Sequence, residues 1–321
     1  MRLLFMGTPD FALPSLRVLI ARGDEIVGVV SQPDRPKGRG ETLTPPPVKE
    51  TAQTHGLPIY QPEKVRSPEF IKLVETLHPD MIVVVAFGQI LPAALLRIPP
   101  RGPVNVHASL LPRYRGAAPV AWAILNGERE TGVTTMLMDE GMDSGPILLQ
   151  RKTEILPGET SESLGKRLSC LGAELLLETL DRMEEGSIQP IPQDPLLATY
   201  APLLKKEDGL IDWSKGAAEI ERRIRAMNPW PGAYTFYKEG RWRLWSVEAL
   251  EQGPEGDGKI RRPGEVILAD DSALEVAAGN GYLKIQTLQP ENRRRMTYKE
   301  FLAGHRVEVG SVLSSVGGHL T

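Results

Sequence analysis

Three runs in the amino-terminal part of the chain are apolar almost throughout: Arg2-Leu3-Leu4-Phe5-Met6, Glu25-Ile26-Val27-Gly28-Val29-Val30 and Asp80-Met81-Ile82-Val83-Val84-Val85-Ala86. A strand with one wet face alternates apolar and polar residues, so continuous runs of this kind belong to strands covered on both faces. Between them the apolar spacing turns helical, as at Phe11, Leu13, Leu16, Leu19 and Ile20, with Thr8 as cap and Pro9 in the first turn. The alternation predicts an α/β, doubly wound, mostly parallel sheet. Such sheets bind ligands beyond the carboxyl ends of their strands, which puts the residues after Ala86 at a crevice. The turn after the first run lacks the G-x-G-x-x-G pattern, so the fold does not imply a dinucleotide.

With 321 residues, 41% of them hydrophobic, the chain can bury a sizeable core and divide into two domains. Pro190, Pro192, Pro195 and Pro202 mark an extended linker over 190–205. Beyond it, a helix is expected over Ala217–Ala226. Shorter strand-like runs follow at Trp242–Val247, Gly264–Leu268, Ala273–Ala277 and Tyr282–Gln286, a small β-rich domain. Cys170 is the single cysteine, which excludes an internal disulfide and argues for a reducing, cytoplasmic setting. No apolar stretch is long enough for a membrane span, and the five histidines have no compact zinc spacing, so neither a membrane nor a metal is expected. The net charge of -3 divides as 20 basic against 24 acidic residues over 1–204 and 18 against 17 over 205–321. Any nucleic-acid surface must therefore be local, with Arg35, Lys37 and Arg39, Arg113 and Arg115, Arg222, Arg223 and Arg225, or Arg293, Arg294 and Arg295 as basic clusters. Each is equally a solvated face when taken alone.

Chemistry concentrates in Asn105-Val106-His107, the loop Ala108–Gly116 that follows, and Asp143. In a strand, Asn105 and His107 share one face. A neutral imidazole accepts a proton near pH 7, and an asparagine amide donates to an oxyanion as a carbonyl carbon becomes tetrahedral. Asp143 is placed to hold the histidine tautomer and stabilise its charged form. With no strong nucleophile alongside, the set suits direct attack by a substrate amine on an acyl group. In the loop, Leu110 and Leu111 anchor, Arg113 and Arg115 face substrate phosphate or solvent, and Gly116 permits close backbone approach.

Together with Phe5–Phe11, Gln32–Gly40, Val84–Gly88, Gly141–Gly145, Asn228–Ala233 and Gln289–Met296, these segments resemble the methionyl-tRNA formyltransferase family over nearly the whole chain. The resemblance implies transfer of a formyl group from 10-formyltetrahydrofolate to the α-amino group of methionine on charged initiator tRNA. It puts the essential residues at Asn105, His107 and Asp143, and folate contacts at Phe87, Gly88, Gln89, Ile90 and Leu91 and at Ser109, Leu110, Leu111 and Pro112. It implies tRNA contacts at Arg35, Lys37, Arg39, Arg113, Arg115, Arg293, Arg294 and Arg295, with Arg39 foremost on a loop that continues Glu41-Thr42-Leu43 where members commonly remain basic. The expected organisation is a formyltransferase domain over 1–189 and an OB-like β-barrel for tRNA over 206–321, in a monomer. A sugar-nucleotide formyltransferase and a catalytically silent RNA-binding protein are the alternatives. A small amino sugar as acceptor tests the first, and loss of folate turnover marks the second.

Overall fold

The computed structural model describes residues 1–37, 42–251 and 261–315. Its contacts divide the chain into two compact units, the first comprising Met1–Pro119, Glu130–Glu154 and Leu164–Pro202, the second Val120–Arg129, Ile155–Ser163 and Leu203–Thr321.

The apolar runs form strands in the first unit. In chain order come β1 (Arg2–Gly7), α1 (Leu13–Arg22), β2 (Glu25–Val30), the hairpin β3 (Arg35–Lys37) and β4 (Thr42–Thr44), α2 (Pro47–Thr54), β5 (Ile59–Tyr60), α3 (Pro68–Leu77) and β6 (Met81–Val85). Then follow α4 (Ala93–Leu96), β7 (Pro103–His107), β8 (Glu130–Leu137), β9 (Ile147–Glu154) and, from Leu164 on, α6 (Ser161–Glu184), while α5 (Pro119–Leu125) belongs to the second unit from Val120 on. The sheet order is β5-β2-β1-β6-β7-β8-β9. It is parallel from β5 to β7 and antiparallel through β8 and β9. Both faces are covered, as continuous apolar strands require: Leu3, Phe5, Val83, Val104 and Val106 pack on one side, Leu4, Met6, Ile82 and Val84 on the other. α1 begins later than its spacing suggests. A 3₁₀ turn over Asp10–Ala12 precedes it and Thr8 caps nothing; its hydroxyl instead donates to the Phe87 carbonyl at 2.9 Å.

The second unit holds α7 (Ala217–Ala226), β10 (Ala233–Tyr237), β11 (Gly240–Leu250), β12 (Val266–Ala269), β13 (Leu274–Ala277), β14 (Tyr282–Pro290), β15 (Met296–Thr297) and α8 (Tyr298–Gly304). Its antiparallel sheet runs β10-β11-β14-β13-β12, with β15 on β14. Chain beyond α8 joins the two ends of this order: Ser314 exchanges hydrogen bonds with Phe236 of β10, while Ser311 and Leu313 bond to Val266 and Gly264 at β12. Trp242 packs between Tyr237 and Phe301 and is a core residue.

Candidate functional site

β7 lies where the sheet changes from parallel to antiparallel. Val104 and Val106 are committed to one core face, so strand parity turns Asn105 and His107 to the other. Asn105 is 9% exposed, and among the described residues its side chain makes no hydrogen bond, its amide keeping some access to solvent.

His107 is held from behind. Its Nε2 lies 2.9 Å from the Tyr114 carbonyl. A carbonyl only accepts, so Nε2 carries the proton and Nδ1 is left with the lone pair. Nδ1 faces Asp143 Oδ2 at 3.7 Å, an ion-pair distance once the ring is protonated. The tautomer is thus set by the backbone of Tyr114, where the sequence pointed to Asp143, whose carboxylate is too far from Nδ1 for a hydrogen bond.

Asp143 reaches this position by an indirect route. His107 pairs with Thr134 and Val104 with Leu137, so the β8–β9 connection leaves the sheet beside the far end of β7. It must fold back over three residues of strand, about 10 Å, to meet His107. Gly145 allows the return, since a Cβ there would collide with the Leu137 carbonyl oxygen. Asp143 adopts φ +49° and its Oδ2 accepts the Gly116 amide at 2.8 Å.

The loop after His107 is pinned from several sides. Ser109 donates to the Arg113 carbonyl, Thr134 donates to the Ser109 carbonyl, and Gln150 donates to the Leu111 carbonyl. Ser109 and Leu111 are buried, Leu110 and Pro112 half-buried. The stretch expected as a linker is extended but tied down: Ile191 exchanges bonds with Ile147, and Thr199 and Ala201 bond to Arg115 at 2.8 and 2.7 Å. Gly116, at φ +116°, fits against it because a Cβ would meet the Ala201 oxygen.

At the end of β6 the chain turns through positive φ at Ala86 and Gly88. Phe87 and Leu91 are buried and Ile90 is 83% exposed. The Phe87 carbonyl is occupied by Thr8 and Gln32, and the Gln89 amide bonds to Val65 and Glu63. Gln89 therefore shapes the turn with its side chain. What the turn presents outward is Ile90 and, at Gly88, backbone with open space where a side chain would be.

Of the basic residues, Arg35 is exposed on β3, Lys37 ends that strand, and Arg39 lies outside the described residues. Arg113 is exposed, its guanidinium 5.3 Å from the Tyr114 ring. Arg115 corrects an expectation: it is buried, with Nε and Nη2 on Gln193 Oε1 at 3.1 and 2.8 Å, so it faces neither phosphate nor solvent. In the second unit Arg293, Arg294 and Arg295 are exposed, Arg294 being paired with Glu300. Arg295 and Arg243 both stack on Trp245, at 4.7 and 4.0 Å. Burial, with Arg241 and Arg295 nearby, holds the Arg243 pKa below the usual range. Arg241, Arg243 and Gln193 escaped the sequence reading. Among the described residues no group of three or more His, Cys, Asp or Glu is placed to hold a metal ion, and no helix is long and apolar enough to cross a membrane.

An amide and a histidine on one face of β7, with a carboxylate facing the histidine's free ring nitrogen at the end of an α/β sheet, suit an acyl-group transferase. Residues 1–180 match the formyl transferase family and residues 203–306 the formyl transferase C-terminal domain. The chain is 54% identical to the methionyl-tRNA formyltransferase of Citrifermentans bemidjiense over 98% of its length and 96% of that protein's. It is likewise 54% identical to that of Trichlorobacter lovleyi, over 97% and 96%. The chain belongs to the methionyl-tRNA formyltransferase family. Among solved structures, an N-formyltransferase from Helicobacter canadensis in complex with folinic acid and dTDP-3-aminofucose aligns with TM-score 0.64 at 17% identity, covering 92% of this chain and 100% of that one. HypX from Aquifex aeolicus in complex with tetrahydrofolic acid aligns with TM-score 0.64 at 20% identity over 94% of this chain, which spans about half (47%) of HypX. At these identities the likeness is one of fold.

Proposed function

We propose that the protein transfers the formyl group of 10-formyltetrahydrofolate to the α-amino group of methionine on charged initiator tRNA. The observation that carries the chemistry is Asp143 Oδ2 3.7 Å from His107 Nδ1, with Asn105 on the same face of β7 as His107. The amine nitrogen attacks the formyl carbon, and the carbonyl electron pair moves to oxygen, where the Asn105 amide donates a hydrogen bond. His107 Nδ1 takes the proton released by the amine, and the imidazolium is stabilised by Asp143. Collapse re-forms the carbonyl and breaks the bond to the folate nitrogen, which recovers the proton from Nδ1. Formylated methionyl-tRNA and tetrahydrofolate leave.

The formyl donor is consumed, so it is a substrate. Exposed Ile90 and the open backbone at Gly88 suit the face and edge of a flat heterocycle, with Phe87, Gln89 and Leu91 supporting them and Ser109, Leu110, Leu111 and Pro112 on the facing loop. We assign tRNA contacts to Arg35, Lys37, Arg39, Arg113, Arg293, Arg294 and Arg295, and place Arg243 and Trp245 with them. The segment that joins β10 to β12 supports an OB-like barrel as the tRNA module over 206–321, following a catalytic domain over 1–189 and a connection over 190–205. We take the protein to act as a cytoplasmic monomer, without a metal.

The test is formyl transfer from 10-formyltetrahydrofolate to charged initiator methionyl-tRNA, beside uncharged initiator tRNA and charged elongator methionyl-tRNA. Product confined to the charged initiator is expected. A folded protein that formylates none of them refutes the assignment, and a sugar-nucleotide amine becomes the next acceptor to try.

A further inference from the structure

The side chain of Gln193 joins the two arms of the site. Its Nε2 donates to the Asp143 carbonyl at 2.8 Å and to the Gly145 carbonyl at 2.7 Å. Its Oε1 accepts both bonds from Arg115. A guanidinium can only donate, so the amide has one orientation and every strong position on it is used. Arg115 precedes Gly116, whose amide donates to Asp143 Oδ2. Gln193 therefore closes a ring: Arg115 to Gln193, Gln193 to the Asp143 backbone, and the Asp143 carboxylate back to Gly116. The segment carrying Gln193 is anchored on both sides, at Ile147 and at Arg115.

The fold-back that brings Asp143 to His107 explains what this ring accomplishes. The β8–β9 loop leaves the sheet at the wrong end of β7, and Asp143 sits in the left-handed region that a non-glycine residue seldom adopts. A loop so placed needs its carbonyls fastened. We infer that Gln193 is a positioning residue for formyl transfer, holding the Asp143 backbone so that the carboxylate stands at His107 Nδ1. This rests on the roles given above to His107 and Asp143.

Gln193→Glu isolates the role, because it keeps an oxygen for Arg115 while replacing both donors with an acceptor that repels the two carbonyls. Retained thermal stability is expected, with kcat lowered about tenfold to a hundredfold, the cost of a misplacement near 1 Å, and KM for both substrates within about twofold. In an Asp143→Asn background the same change should lower kcat less than about twofold, since residues acting through one group are not additive. Hydrogen exchange at the Gly116 amide should accelerate in Gln193→Glu, a readout that needs no substrate. Unchanged kcat, a full loss on top of Asp143→Asn, or unaltered Gly116 exchange would each overturn the inference. A wild-type protein that formylates no tRNA sinks the proposed acceptor instead, and the exchange measurement still decides the positioning.

Discussion

Asp143→Asn tests the catalytic reading most directly. Asparagine keeps the volume and an oxygen that can accept the Gly116 amide, so the loop should hold while the charge is lost. In the reaction as proposed, His107 is neutral at the start and charged once Nδ1 takes the proton, so the carboxylate acts mainly late. At the 3.7 Å separation a full ion pair with an effective dielectric constant of ~20 amounts to ~4.5 kcal/mol. One decade of rate is about 1.4 kcal/mol, so the ceiling is about three decades. Asp143 retains 19% of its side-chain exposure, and screening brings the expectation to about two decades in kcat. Single-turnover formylation at saturating folate and tRNA measures it, with thermal unfolding as a control on the fold. A folded variant within about fivefold of wild type would refute late stabilisation of His107 by Asp143.

Asn105→Ala removes the donor proposed for the oxyanion and should cost about two to three decades in kcat; activity near wild type would assign the oxyanion to backbone donors. Gly145→Ala blocks the return of the β8–β9 loop against the Leu137 oxygen, so it should lower kcat as far as Asp143→Asn does and add little to it; a fully active Gly145→Ala would show that the fold-back is dispensable. Arg295→Ala should weaken tRNA binding and reduce the salt dependence of log Kd by about one, with the KM for folate unmoved; an unchanged slope removes Arg295 from the interface. Glu300 is held at about 2 by Arg294 and by the Thr297 amide and hydroxyl. Because its folded value lies below its ordinary one, its contribution is complete above the ordinary carboxylate range and is lost as the pH falls towards 2. An NMR titration of its carboxyl should find that midpoint, and an ordinary value near 4.5 would discard the capping contact.

The parts of the site readable in the sequence are those encoded locally. Asn105 and His107 share a face because strand period is two, and the valines flanking and separating them show which face is core. The apolar runs foretold the parallel strands, and the spacing over 217–226 foretold α7. Gln193 was hidden because its partners lie 50 and 78 positions away, in a stretch whose prolines read as a tether. Arg115 was misread for the same reason. A guanidinium in a polar loop belongs outside unless something buried accepts its protons, and that something is Gln193. Thr8 was taken for a helix cap because its partner, the Phe87 carbonyl, is distant in sequence.

The long-range contacts share one cause, the reversal of direction at β7. A parallel strand brings its carboxyl end to the same rim as its neighbours, so β6 delivers the turn at Gly88 and β7 delivers His107 to one crevice. β8 runs the opposite way and its own connection starts at the other rim. A carboxylate for His107 must then come from a loop folded over the sheet face, and such a loop has no strand ladder to fix it. The protein supplies the missing constraints individually: no side chain at Gly145, a left-handed Asp143, a carboxylate on the Gly116 amide and two carbonyls on Gln193. This division makes the imidazole and the amide the rigid half of the site, built into β7, and the carboxylate the adjustable half. Changes that loosen the strap over 191–201 should therefore act on the rate through Asp143 and leave Asn105 and His107 where the strand puts them.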